Sequence, residues 1–161
     1  MGREVRRVPA TWEHPREKNG HYRPLYGRSL TTAQAEWDKS AAAFESDYPK
    51  QYIECGGDYS KWDGARPSGD RYMPDWPDSE RTHLQMYETC SEGTPISPVF
   101  ATPEELARWC ADNGASAFGS MTASYEAWLR IARGGFAPSM VMTGDVMESG
   151  VEAHKDSEVT S

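Results

Sequence analysis

The chain has 161 residues, 37% of them hydrophobic, with six tryptophans and eight tyrosines, a size and aromatic content that exclude a disordered polymer and suffice for one ordinary domain without disulfides or metals. No apolar run approaches the roughly 20 residues of a membrane span. MGREVRRVPATW has neither the apolar stretch of a signal peptide nor the Ser or Thr of a myristoylation site, so a cytoplasmic protein is expected.

The formal charge of -8 is unevenly spread. Residues 1–30 carry seven Arg or Lys against three Glu, and residues 31–161 carry ten against twenty-two. An acidic body argues against direct nucleic-acid binding, which needs positive charge to displace counterions. It suits attraction to a basic protein surface. Cys55, Cys90 and Cys110 are odd in number and lack paired spacing, as expected of reduced thiols rather than a disulfide framework.

In chain order, residues 1–30 read as a basic extended arm. EVRRVP predicts a short edge strand, and EHPREKNGHYRPLYG is broken by prolines and an Asn19-Gly20 turn, with Trp12, Tyr22 and Tyr26 packing on the body. Residues 31–153 read as a single α+β domain and 154–161 as a frayed tail. A helix is predicted from a threonine cap at Thr31 or Thr32 to about Tyr48, where Pro49 stops it; Ala33, Trp37, Ala41 and Phe44 recur on one face.

Residues 49–81 hold four glycines and four prolines and predict a long irregular segment with one short strand at Gln51–Cys55. His83–Glu88 alternates as a strand, with Leu84 and Met86 on one face and Gln85 and Tyr87 on the other. Ser91-Glu92-Gly93 predicts a turn, and Val99-Phe100 a short strand. Thr102 caps the next helix, with Pro103 at its first position, Glu105 closing a capping box and Asn113-Gly114 ending it. A further helix is expected from about Thr122 to Arg133, then a hairpin pairing Ser139–Thr143 with Val146–Ser149. The predicted fold is thus two or three helices on a small, mainly antiparallel sheet.

The segment QMYETCSEGTPISPVFATPEELARWCADNG, continued by SYEAWL, resembles a family of small proteins encoded by tailed phages and prophages. Its members share an ETxSEGxPISPVF stretch followed by a TPEELAxW helix. The likeness covers roughly residues 72–153, and REVRRVP is similar to the openings of these proteins. It implies a phage setting, the host cytoplasm, and no particular reaction. Many relatives carry cysteine pairs suited to zinc in mid-chain, where this chain has only Cys55-Gly56-Gly57; no zinc role is carried over.

Site chemistry is sparse. His14 with His21, or Cys55 with Cys90 and His83, lack the close spacing of a metal site. Cys90 seven residues from His83 on one strand points the two apart, which weakens a nucleophile and base pair. No metal, cofactor or catalytic residue is assigned.

The favoured expectation is a non-enzymatic phage accessory protein that inhibits a host defence factor, for example a CRISPR effector. Its acidic surface, Glu36, Asp38, Glu45, Asp47, Asp58, Asp63, Asp70, Asp75, Asp78 and Glu80, would imitate nucleic acid. The alternatives are a virion or packaging accessory that uses Arg3, Arg6 and Arg7, and a binder of a small molecule such as a signalling nucleotide. The expected pocket for the latter comprises Ser91, Glu92, Gly93, Thr94, Ser97, Trp109, Ser120 and Tyr125, with Trp109, Tyr125 or Trp128 as stacking faces.

Overall fold

Strand β1, Gly2–Val8, is paired on both sides, although its basic composition suggests an edge. It runs antiparallel to β4, His83–Glu88, with Val5 opposite Met86, and antiparallel to the short strand Phe136–Pro138, called β6 below. With β5, Thr94–Pro95, these form a four-stranded sheet of order β5-β4-β1-β6. Arg3 and Arg6 are buried and satisfied by specific acceptors, so their charge does not keep the strand at the rim.

The computed structural model describes residues 2–89, 93–134, 136–138, 140–143 and 146–153. Its architecture is α+β. Two units are distinguished, one made of residues 2–25 and 76–153 and the other of residues 26–75.

In the first unit the sheet has two unlike faces, as the alternation in β4 predicts. Val5, Leu84 and Met86 face helices α4, Pro103–Asp112, and α5, Tyr125–Ala132. Leu106, Ala107, Cys110, Ala127, Trp128 and Ile131 fill the space between, all inaccessible to solvent. Small residues at 107, 117, 127, 132 and 137 let the elements approach closely around the single large Trp128.

Helix α4 forms as its caps dictate. Glu105 N donates to Thr102 Oγ1 and Thr102 N to Glu105 Oε2, each at 3.2 Å, and Gly114 follows the helix in the left-handed region at φ 59°. Helix α5 starts three residues later than expected, at Tyr125, because Ser124 is the residue that caps it; its Oγ accepts from Ala127 N. The hairpin is present as β7, Met140–Thr143, against β8, Val146–Ser149; its turn at Gly144-Asp145 lies outside the described residues, as does 154–161. One more helical turn, α6, Gly150–Ala153, buries Val151 in the core, and its Glu152 carboxylate accepts from Ser124 N at 2.9 Å.

In the second unit, β2, Tyr26–Ser29, pairs in parallel with β3, Tyr72–Met73. Helix α1, Leu30–Asp47, is capped by Ser29 rather than by a threonine, with Thr32 N donating to Ser29 Oγ at 3.1 Å. The strand expected at Gln51–Cys55 is instead helix α2, Pro49–Glu54. Pro49 has the φ of a first helical residue and starts the new helix as well as stopping the old one. The turn carries Tyr52 back onto Phe44, ring centroids 5.7 Å apart, with Tyr59 and Trp62 of the short helix α3 region, Ser60–Asp63, completing the cluster. Packing on Phe44 thus converts much of the expected irregular segment into local helices.

Two stability outcomes follow. Leu106→Ala removes a fully buried side chain and should lower stability by about 2–5 kcal/mol, read from the urea midpoint. Arg130 of α5 has Nε and Nη2 buried without a hydrogen-bond partner among the described residues, and burial holds its pKa below the ordinary value. Arg130→Met should therefore raise stability, by about 1–3 kcal/mol, in the same titration.

Candidate ligand-binding cleft

The second face of the sheet is polar and aromatic. Glu4, Arg6 and Val8 of β1 share it with His83, Gln85 and Tyr87 of β4. A fully apolar cover would strand these groups, so the segment that crosses them supplies hydrogen bonds instead. Arg6 Nη1 donates to the Leu25 carbonyl at 2.9 Å, Nε donates to Glu4 Oε1 at 2.7 Å, and the guanidinium lies 4.1 Å from the centre of the Tyr87 ring.

Tyr87, fully buried, is the hub. Its hydroxyl donates to Gln85 Oε1 at 2.9 Å and accepts from Trp12 Nε1 at 3.1 Å. Burial pushes its pKa up to about 12, so it stays protonated. His14 bridges this hydroxyl, 3.0 Å from Nδ1, and the Arg23 carbonyl, 2.6 Å from Nε2. Burial, opposed in part by that carbonyl and reinforced by Arg6 and Arg16, holds the His14 pKa below its ordinary value. The neutral ring then carries its proton on Nε2, facing the carbonyl, which can only accept, and the single Tyr87 hydroxyl proton is shared between Gln85 Oε1 and the bare Nδ1.

Gln85 Nε2 donates to the Ser97 carbonyl at 2.8 Å, and Ser97 Oγ accepts from Met86 N at 2.9 Å while donating to the Pro98 carbonyl. Gln85 and Ser97, with Trp12 and His14, form the floor of a cleft of about 890 Å³. Trp12, Tyr22 and Trp109 line it together with Ile96 and Val99, and Glu13 and Arg16 stand exposed among its lining residues. A second cleft of about 580 Å³, lined by His83, Phe100, Arg108 and Asn113 among others, shares Val99 and Trp109 with the first.

Of the pocket residues expected from the sequence, the structure brings Ser97 and Trp109 to this cleft. Ser91 and Glu92 lie outside the described residues. Gly93 is scaffold: its φ is 101°, its carbonyl accepts from Leu25 N at 3.0 Å, and any Cβ there would strike the Leu25 carbonyl and the Arg6 guanidinium. Thr94 Oγ1 donates to Glu88 at 2.9 Å. Ser120 is exposed on a turn away from the cleft, Tyr125 lies beneath Arg108 at 4.0 Å, and Trp128 is sealed in the core.

The sequence reading missed Trp12, His14, Arg16, Tyr22 and Gln85 as site residues. The available signals were the density of aromatic and basic residues over 12–23 and the polar alternation of β4.

The acidic residues do not make a uniform anionic face. Asp78 and Glu80 belong to the first unit and the other eight to the second. Glu36 pairs with Arg28, Asp38 takes a two-pronged contact from Arg66 at 2.7 Å on each oxygen, Asp58 lies 3.9 Å from Lys61 and Asp78 lies 3.8 Å from Arg81. Asp63 accepts from the Tyr59 hydroxyl at 3.0 Å. Glu45 and Asp47 lie along exposed α1, where Asp47 accepts from Ser46, and Asp70 and Asp75 are likewise engaged.

Arg3 and Arg6, expected as free arm residues, are buried; Arg3 Nε donates to the Ser116 carbonyl at 2.7 Å. Among the described residues no three His, Cys, Asp or Glu converge as metal ligands would. Burial pushes the Cys110 thiol up to about 12, which removes it as a nucleophile, and Cys90 lies outside the described residues.

Because His14 titrates below its ordinary value when folded, the unfolded chain takes up that proton at higher pH. The contribution is therefore intact above about pH 6.5 and is lost as pH falls through that value toward the folded pKa. Urea midpoints measured from about pH 8 down to about pH 5 should drop more steeply for the wild type than for His14→Gln, by at most about 1.4 kcal/mol per pH unit. Parallel profiles would remove His14 as the cause. No family model, curated protein or solved structure matches the chain.

Proposed function

We propose that the protein is a non-enzymatic binder of a small molecule, which it holds in the cleft over the polar face of the sheet. The observation that carries this reading is the hydrogen-bonded floor. Trp12, His14, Gln85 and Ser97 of the lining are fixed by one another and by the buried Tyr87, so this part of the cleft is set before any ligand arrives. A preformed concavity of about 890 Å³ in which aromatic and aliphatic side chains stand among placed polar groups is a usual form of a small-molecule site.

The same geometry speaks against chemistry at this place. His14 has both ring nitrogens engaged, and the Tyr87 hydroxyl is protonated and enclosed, so neither is placed as a free acid or base. Within the phage setting that the sequence resemblance implies, holding a host metabolite would act by removing it from solution. Imitation of nucleic acid draws less support, since Arg28, Lys61, Arg66 and Arg81 stand among the acids that would form the imitating surface.

Purified protein from a bacterial lysate should retain a small molecule, seen by native mass spectrometry and released on unfolding. Its readdition at about 100 times Kd should raise Tm by roughly 5–10 °C. Trp109→Ala should abolish both effects while leaving the helical signal unchanged. If nothing is retained and no metabolite shifts Tm, the reading is wrong.

A further inference from the structure

The composition of the cleft identifies the class of its ligand, on the reading that the cleft is the binding site. Its floor has little hydrogen bonding left to offer. Trp12 Nε1, both His14 nitrogens, Gln85 Nε2 and Ser97 Oγ are all engaged with protein partners. A ligand with many polar groups would lose its water there without replacement, which is unfavourable. A flat apolar or aromatic body fits, lying against indole faces such as that of Trp109.

Charge recognition then falls to the exposed lining residues, and there Arg16 is the prepared group. Its guanidinium lies 3.8 Å from the centre of the Tyr22 ring, and Nη1 donates to the Gly20 carbonyl at 2.8 Å. The loop that presents it is itself closed by the Arg16 and Tyr22 bridge and by Glu17 N bonded to the His21 carbonyl. Arg16 forms no ion pair among the described residues, and its Nε and Nη2 donors are uncommitted. A planar cation stacked on a ring and held by one carbonyl has little freedom left to lose when it meets an anion.

Glu13 also lines the cleft, exposed and with no partner among the described residues. It is free to turn toward water, whereas Arg16 is held on two sides. An aromatic cation would meet this fixed positive charge, so an aromatic anion is favoured.

We infer that the cleft binds planar aromatic anions, a ring against the tryptophan wall and a phosphate or carboxylate on Arg16, the chemistry of an aryl phosphate or an aryl acid. The probes are adenosine monophosphate, adenosine, inorganic phosphate, phenyl phosphate and indole-3-acetate, titrated by calorimetry against wild type, Arg16→Gln, Arg16→Lys and Trp109→Leu.

At least one aromatic anion should bind at least about tenfold more tightly than adenosine or phosphate alone. Arg16→Gln, at an exposed position, should remove that advantage and Arg16→Lys should restore part of it. Added salt should weaken binding to wild type more than to Arg16→Gln. Which anion binds separates a phosphate from a carboxylate source.

Equal affinity for charged and neutral rings, or an unchanged preference in Arg16→Gln, would overturn the inference. If every probe fails while the lysate-loaded protein holds a different molecule that is lost in Trp109→Leu, the anion class is wrong and the cleft reading stands. If nothing is held at all, both fall.

Discussion

Two guanidinium groups inside a central β-strand are the constraint on which the first unit depends. A buried Arg must find acceptors for its donors, or the strand that carries it is driven to the surface. Arg3 finds the Ser116 carbonyl and hydroxyl and the Gly2 carbonyl, and Arg6 finds Glu4, the Leu25 carbonyl and the Tyr87 ring. Each solution fastens a distant piece of chain to β1. The first secures the loop beyond α4, and the second secures residues 12–25 across the sheet.

The unlike faces of the sheet follow from this arrangement. One face packs against α4 and α5 by shape, with alanines around Trp128. The other holds its cover by hydrogen bonds whose directions are fixed, so its geometry is less able to relax. A cover set by direction rather than by volume does not close every gap, and the cleft beside Trp12, Ser97 and Trp109 is where closure stops. Gly93 belongs to the same construction: the space a side chain would take is already filled by Leu25 and Arg6.

The second unit is held by a different means. Phe44 is its one large buried side chain on α1, and Tyr52, Tyr59 and Trp62 gather around it with edge and stacked contacts of 5.1–6.4 Å between ring centroids. Its polar ties, Trp37 Nε1 to the Gly64 carbonyl and Arg66 to Asp38, draw the chain after α3 back to α1. An exposed ion pair such as that of Arg66 and Asp38 contributes little stability and mainly fixes position.

How much was legible in the sequence depends on how local the deciding contact is. Thr102, Pro103, Glu105 and Gly114 determine α4 by themselves, because capping partners lie within one turn of each other. The alternation of Leu84, Gln85, Met86 and Tyr87 likewise determined that β4 would separate an apolar layer from a polar one. The helical character of 49–54 is not legible because it depends on Tyr52 reaching Phe44, and the opening strand reads as an edge because Gly2 and Glu4 nearby satisfy only part of Arg3 and Arg6. Their partners, like those that join Trp12 and His14 to Tyr87, lie up to 113 residues away. Local chemistry in the sequence thus determined the elements and their faces, whereas the tertiary structure alone decided strand order, the fate of the arginines and the cleft. Those depend on contacts between groups that only folding brings within hydrogen-bond range.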